Sequence, residues 1–205
     1  MKKQLSLILK LGMISLVKKK LISIGIDVGS TNGAIGIIDE NLNVLYVSKV
    51  PIYQTENRSK RNKSKLNKQT MKYEKDYKKR NWVDFRELGK VFKPFLSKSI
   101  VYTVEKVIVK PGEGESSSFV FGNSMGIFQG LYPYLNPVFY LEPLAIQWKK
   151  ELGVTSVKQT SIDLAEKIYE KSMKSLIPKG KADDIAEALL LAFYGLKKYY
   201  EDRKI

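Results

Sequence analysis

The 205-residue chain contains no cysteine and no histidine. The first absence excludes a disulfide framework, a thiol nucleophile and a cysteine-ligated zinc. The second removes Ser-His-Asp and Cys-His catalysis and every imidazole metal ligand. Long hydrophobic runs are also missing. Leu5 to Val17 is apolar, but Lys10 interrupts it and Lys18, Lys19 and Lys20 follow, so it is too short to span a bilayer. No small-residue cleavage site follows it, and it lacks the arginines of a mitochondrial presequence. These features predict an intracellular protein that is neither secreted nor embedded in a membrane. Any chemistry must come from carboxylates, lysines, hydroxyls and a hard, oxygen-preferring cation such as Mg2+ or Mn2+.

Acid is scarce relative to base: 21 Asp and Glu face 36 Lys and Arg, for a net charge of +15. The excess is concentrated. Residues 1–20 hold six lysines and no acid, and residues 56–80 hold eleven Lys and Arg against three acids. The rest is close to neutral. The chain therefore reads as one balanced domain, residues 21–205, with a basic leader at 1–20 and a basic flexible insertion at 56–80. Met13 offers an alternative start that would shorten the leader. Clustered positive charge favours a polyanion. Lys60, Arg61 and Lys63 in the insertion are candidate phosphate contacts; the plainer alternative is a solvated lysine-rich loop.

The most informative segment is Leu21-Ile-Ser-Ile-Gly-Ile-Asp27, followed by a Gly/Ser/Thr turn and a second apolar run to Asp39. It reads as two short strands joined by a tight turn. A carboxylate inside such a run is costly to desolvate unless it binds a cation or does chemistry. The blander account of Asp27 is a strand-end acid bonded to its own turn. Further along, Asn41 to Val50 reads as a third strand and the polar span to Arg80 as loop. Trp82 to Ser97 shows helical spacing. Ser99 to Val109 is a β-branched strand carrying a second internal acid, Glu105. Pro111 to Ser118 reads as a Gly/Ser loop, and Phe119 to Tyr134 as a helix. Asn136 to Leu141 is a short strand. Helices are predicted from Pro143 to Leu152, Val157 to Leu176 and Asp183 to Tyr200. Three hairpin-linked strands followed by alternating strands and helices imply an α/β fold with a partly antiparallel sheet.

A third acidic point lies in Lys181-Ala-Asp-Asp-Ile-Ala-Glu-Ala-Leu-Leu-Leu-Ala192. Asp184 and Glu187 are three apart and share one helix face. Acids in a first turn also simply complement the helix dipole. Beside Asp27 and Glu105 they suggest a metal site, because gathered carboxylates repel and a divalent cation relieves the repulsion.

Three motifs in this order carry a family resemblance: Ile24-Gly-Ile-Asp-Val-Gly-Ser30, then Val104-Glu-Lys-Val107, then Asp183-Asp-Ile-Ala-Glu-Ala-Leu189. The chain resembles RuvC-type Holliday junction resolvases of the RNase H-like superfamily, in particular the viral and phage branch. The phrase from Pro111 to Gly126 and the run Trp148-Lys149-Lys150-Glu-Leu-Gly153 add to it, and the resemblance covers about Leu21 to Leu196. It implies an RNase H-like fold, with a mixed five-stranded sheet of three antiparallel-linked strands then two parallel, flanked by helices. It implies a homodimeric endodeoxyribonuclease that resolves four-way junctions and other branched DNA in recombination and repair. Asp27, Glu105, Asp184 and Glu187 would be the catalytic acids, holding two Mg2+ ions, with Mn2+ able to substitute. Three departures stand out. Glu187 occupies a position usually filled by Asp, Asp183 gives a second choice of ligand beside Asp184, and Ile108 stands where bacterial members carry an aromatic wedge. Phe119 or Phe121 would then serve in opening the junction, and Lys149 and Lys158 would contact phosphates.

Phosphodiester hydrolysis needs an attacking hydroxide, relief of charge on the phosphorane and a stabilised leaving oxygen. Two ions about 3.5–4 Å apart supply all three. Two other readings compete. Ile24-Gly-Ile-Asp-Val-Gly-Ser-Thr-Asn32 also resembles the phosphate loop of the actin-like ATPase and sugar-kinase superfamily, although no second such loop occurs. A non-junction nuclease of the RNase H-like superfamily is the other.

Overall fold

The computed structural model describes residues 19–29, 33–61, 65–67, 69, 72–74, 77–108, 112, 114–176 and 182–203. Its centre is a five-stranded sheet built from β1 (Leu21–Asp27), β2 (Ala34–Asp39), β3 (Val44–Lys49), β8 (Ser99–Val104) and β9 (Phe139–Leu141). The strand order is β3-β2-β1-β8-β9. β2 runs antiparallel to both β1 and β3, whereas β8 and β9 run parallel to β1. This is the mixed α/β sheet expected of the RNase H-like fold. Between β2 and β3 the Asp39 carboxylate accepts from the backbone N–H of Asn41 and Asn43, at 2.9 and 2.8 Å, and so fixes the turn.

Alternation along the central strands decides what packs on each face. Ile22, Ile24 and Ile26 of β1 join Ile35, Ile37, Ile100, Tyr102 and Val104 in one core. Helices α1 (Phe85–Phe92) and α2 (Glu115–Gly130) cover it with Leu88, Phe92 and Phe128. The opposite face is built small. Ser23, Gly25 and Ala34 alternate with the isoleucines, and Gly25 is the register partner of Gly36. This face receives the long helix α6 (Ala182–Asp202). A Cβ at Gly25 would lie 2.2 Å from the carbonyl oxygen of Ala188 and 2.3 Å from the nitrogen of Ala192. One at Gly36 would lie 2.9 Å from the backbone at Ala188 and Leu189. The glycine pair therefore lets the α6 backbone rest directly on the sheet. The Ser23 hydroxyl donates to the Ala192 carbonyl at 2.7 Å and locks the approach. Helices α4 (Ala145–Leu152) and α5 (Lys158–Leu176) flank α6 on this side. The short helix α3 (Tyr132–Leu135) leads into β9.

Two expectations from sequence need correction. The span from Val50 to Arg80 is not simply loop: β4 (Ile52–Arg61) and β7 (Tyr77–Val83) pair antiparallel as a two-stranded ribbon. Smaller strands β5 (Lys65–Asn67) and β6 (Lys72–Glu74) pair beyond it. Cross-strand pairing substitutes for a core here. Glu56 faces Lys79, the Gln54 amide donates to Asn81 at 2.9 Å, and the Trp82 indole donates to the Thr55 hydroxyl at 2.8 Å. Trp82 thus belongs to a strand, and the following helix starts only at Phe85. Its N-cap, Asp84, accepts from the N–H groups of Arg86 and Glu87. The second correction concerns Pro111 to Ser118. Helix α2 already begins at Glu115, an acid favoured in a first turn.

Candidate active site

Parallel strands β1 and β8 end side by side. Their register pairs Ile26 with Val104, and the Glu105 N–H donates to the Ile26 carbonyl at 2.9 Å. Asp27 closes β1 and Glu105 follows β8 directly, so both acids emerge at the same carboxyl end of the sheet. This is where α/β sheets place ligands. Glu105 was expected within a strand and instead stands just past its end. The third contribution comes from the first turns of α6, which the glycine pair holds against the sheet. It brings Asp183, Asp184 and Glu187 to the same end.

A cavity of about 650 Å³ opens here. Asp27, Asp183, Asp184 and Glu187 line it, together with Lys149 and Lys158. Burial raises the Asp27 carboxyl well above the usual carboxylate range, and the nearby charges of Glu105, Glu187 and Asp184 push the same way. Burial also raises Glu105, and Glu187 adds to it; the Trp148 indole, donating to Glu105 Oε2 at 2.9 Å, works against the rise. All four acids singled out from the sequence therefore share one electrostatic environment.

Cations partition among the acids. Lys149 donates to Glu187 Oε1 at 2.6 Å, Lys49 pairs with Asp184, and Lys158 pairs with Asp183. The Lys158 hydrogen bond holds Asp183 below the usual carboxylate range. The buried Ser161 hydroxyl, on α5, donates to Glu187 at 3.1 Å. An all-carboxylate donor set, with Asp27 desolvated among like charges, has the right chemistry for a hard divalent cation. As the side chains stand, with three acids each turned onto a lysine, no group of three acids among the described residues is arranged to ligate one ion.

The other residues singled out from sequence are distributed as follows. Phe121 lines the cavity. Phe119 is exposed on α2 and meets the Trp82 ring edge-on, with centroids 5.9 Å apart. Ile108 is exposed beyond β8. Lys60 and Arg61 lie on the backbone of β4, and Lys63 lies outside the described residues. Sequence reasoning missed Lys49, Trp148 as the partner of Glu105, and Ser161. Trp148 stood in a motif without a role, whereas a lysine at a strand end and a serine in a helix carry no such mark. Lys78, Lys79 and Arg80, which sequence reasoning counted only within the basic insertion, also line the cavity.

No protein-family model and no curated protein matches the chain. Solved structures similar to it include those of junction resolvases. A Thermus thermophilus RuvC structure in complex with a Holliday junction substrate shares 13% identity over 89% of this chain and 96% of that one, with a TM-score of 0.49. A second Thermus thermophilus RuvC structure shares 14% over the same shares of each chain, with a TM-score of 0.48. The yeast mitochondrial Holliday junction resolvase shares 15% over 89% of this chain and 82% of that one, with a TM-score of 0.45. Among the described residues no helix is long and apolar enough to cross a membrane.

Proposed function

We propose that this protein is a metal-dependent endonuclease that hydrolyses phosphodiesters in branched DNA, four-way junctions above all. The observation that carries the reading is the gathering of Asp27, Glu105, Asp184 and Glu187 at one end of the sheet, where burial and mutual repulsion raise Asp27 and Glu105. A fold that keeps acids in so unfavourable a place is explained best by a function for them. Asp27, Glu105, Asp184 and Glu187 are the residues to hold Mg2+, with Mn2+ substituting. Such a bound cation supplies an activated water and relief of charge at the phosphate.

The chain's own residues have definable parts. Trp148 orients Glu105 through its indole N–H. Lys149 and Ser161 orient Glu187. Lys149 and Lys158, on the cavity wall, offer ammonium groups to backbone phosphates. A homodimer fits the reading, since paired nicks across a junction need two sites. The test is a cleavage panel of four-way junction, Y-fork, flap and linear duplex, with Mg2+, with Mn2+ and with chelator. We expect metal-dependent cutting of the branched substrates, lost in Asp27→Asn while DNA binding persists. Cleavage by Asp27→Asn at the wild-type rate would refute the role of the acids. Tight ATP binding without DNA binding would instead favour the actin-like alternative.

A further inference from the structure

The base of the β4–β7 ribbon is a wall of the acidic cleft. Lys78, Lys79, Arg80 and Asn81 of β7 line the same cavity as Asp27, Asp184 and Glu187. Two contacts fasten this strand to α2 across the cleft mouth. Arg80 Nη2 donates to the Ser116 hydroxyl at 2.5 Å, and Trp82 packs edge-on against Phe119. Arg80 also lies over the Trp82 ring, 5.6 Å from its centre, which ties the two anchors together. The ladder holds the exposed Lys78 and Lys79 in register with Asn57 and Glu56. Lys49, Lys149 and Lys158 are each paired with a cleft acid; among the described residues no ion pair engages Lys78 or Lys79.

The geometry points to a phosphate clamp: Lys78 and Lys79 grip the nucleic-acid backbone beside the acidic cleft and hold one strand over Asp27. This rests on the nuclease reading and deepens it by assigning the ribbon to the bound strand. The logic is electrostatic. A cleft lined by four acids repels a polyanion, and fixed cations on the facing wall add to the cleft lysines and a bound divalent cation in offsetting that repulsion. Lysines on a paired strand, fastened to α2, are positioned for this in a way that lysines on an untethered loop are not.

The test uses the lack of cysteine in the chain. Lys79→Cys and, separately, Ser117→Cys on the cleft wall are each labelled with an iron–EDTA tether. Each is bound to an end-labelled four-way junction and to a Y-fork in buffer without divalent metal. The clamp requires both tethers to cut one strand at sites overlapping within about three nucleotides, or about 10 Å at roughly 3.4 Å per nucleotide. A Lys79→Cys tether that cuts elsewhere, or not at all while the Ser117→Cys tether cuts, overturns it. This map does not depend on hydrolysis by the protein. Coincident maps without metal-dependent cleavage keep the clamp and sink the nuclease reading. In the second arm, Lys78→Ala/Lys79→Ala lowers the single-turnover rate at saturating junction by about tenfold, as expected when a reacting group is mispositioned. Weaker binding with an unchanged rate at saturation would make the ribbon a remote tether and overturn the clamp.

Discussion

Replacing Gly25 by alanine tests whether the site depends on the contact between sheet and helix. The added Cβ would meet the Ala188 oxygen at 2.2 Å and the Ala192 nitrogen at 2.3 Å, where ordinary contacts begin at 3.4 Å. Both obstacles are backbone, so no side-chain rotation relieves them. Either α6 retreats by on the order of 1 Å, as overpacked cores do at a cost of about 1–3 kcal/mol, or the chain fails to close. Retreat strains the 2.7 Å bond from Ser23 to Ala192 and moves Asp184 and Glu187 away from Asp27 and Glu105. A displacement of about 1 Å at a reacting centre costs on the order of 100-fold in rate. The assay pairs thermal unfolding with single-turnover junction cleavage in Mg2+. We expect a lower melting temperature and a rate loss larger than the stability loss explains, measured where the variant is still fully folded. Gly25→Ser should do the same. Wild-type stability and rate in Gly25→Ala would refute the direct seating of α6 on the sheet.

Three further outcomes follow from the same structure. In chelator at neutral pH, Asp27→Asn should melt at a higher temperature than wild type, because it removes a carboxylate disfavoured by burial and like charges; a lower melting temperature would contradict that electrostatic picture. Trp148→Phe should cost about 1–3 kcal/mol in denaturant unfolding, because Trp148 is fully buried and Glu105 loses its donor; a cost below a few tenths would show the bond to be immaterial. Glu151 bridges α4 to α6 through Lys197 and Lys198, at 2.5 and 2.8 Å, and these hydrogen bonds lower its carboxyl. Its contribution is therefore present above the unfolded carboxylate range and lost as pH falls through the folded one. Glu151→Gln should cost under about 1 kcal/mol at pH 7 and less near pH 3, which urea titrations at the two pH values can read.

The core strands were legible because alternation and β-branching leave a direct trace: β1, β2, β3 and β8 fall where the apolar runs lie. The acids were legible for a related reason, since Asp27 and Glu105 interrupt or end such runs. The ribbon was not. Its order comes from the cross-strand register of Glu56 with Lys79 and Gln54 with Asn81, and composition does not encode register. Its polar, lysine-rich composition reads as loop and hides the ladder bonds and the anchor from Trp82 to Phe119. The start of α2 was hidden because serines at 116–118 suit a loop as well as a first turn. Gly25 was legible as a glycine in a strand, but its use, the close seating of a helix 163 residues further on, is a tertiary fact.

The ribbon leaves and rejoins the core at almost one point. Ile52 faces Val83, and the Asp84 N–H reaches the Pro51 carbonyl at 2.8 Å. The chain between them is a closed excursion, so the path of the core runs effectively from Pro51 to Asp84. Lengthening or reshaping such an excursion changes loop entropy only slowly and leaves the sheet register untouched. Two parts of one molecule can thus diverge at different rates: a core whose glycines and acids tolerate little change, and an appendage that can be rewritten beyond its anchored base from Lys78 to Trp82. A new preference in substrate could arise by exchange of the ribbon alone, without any alteration to the acids beneath it.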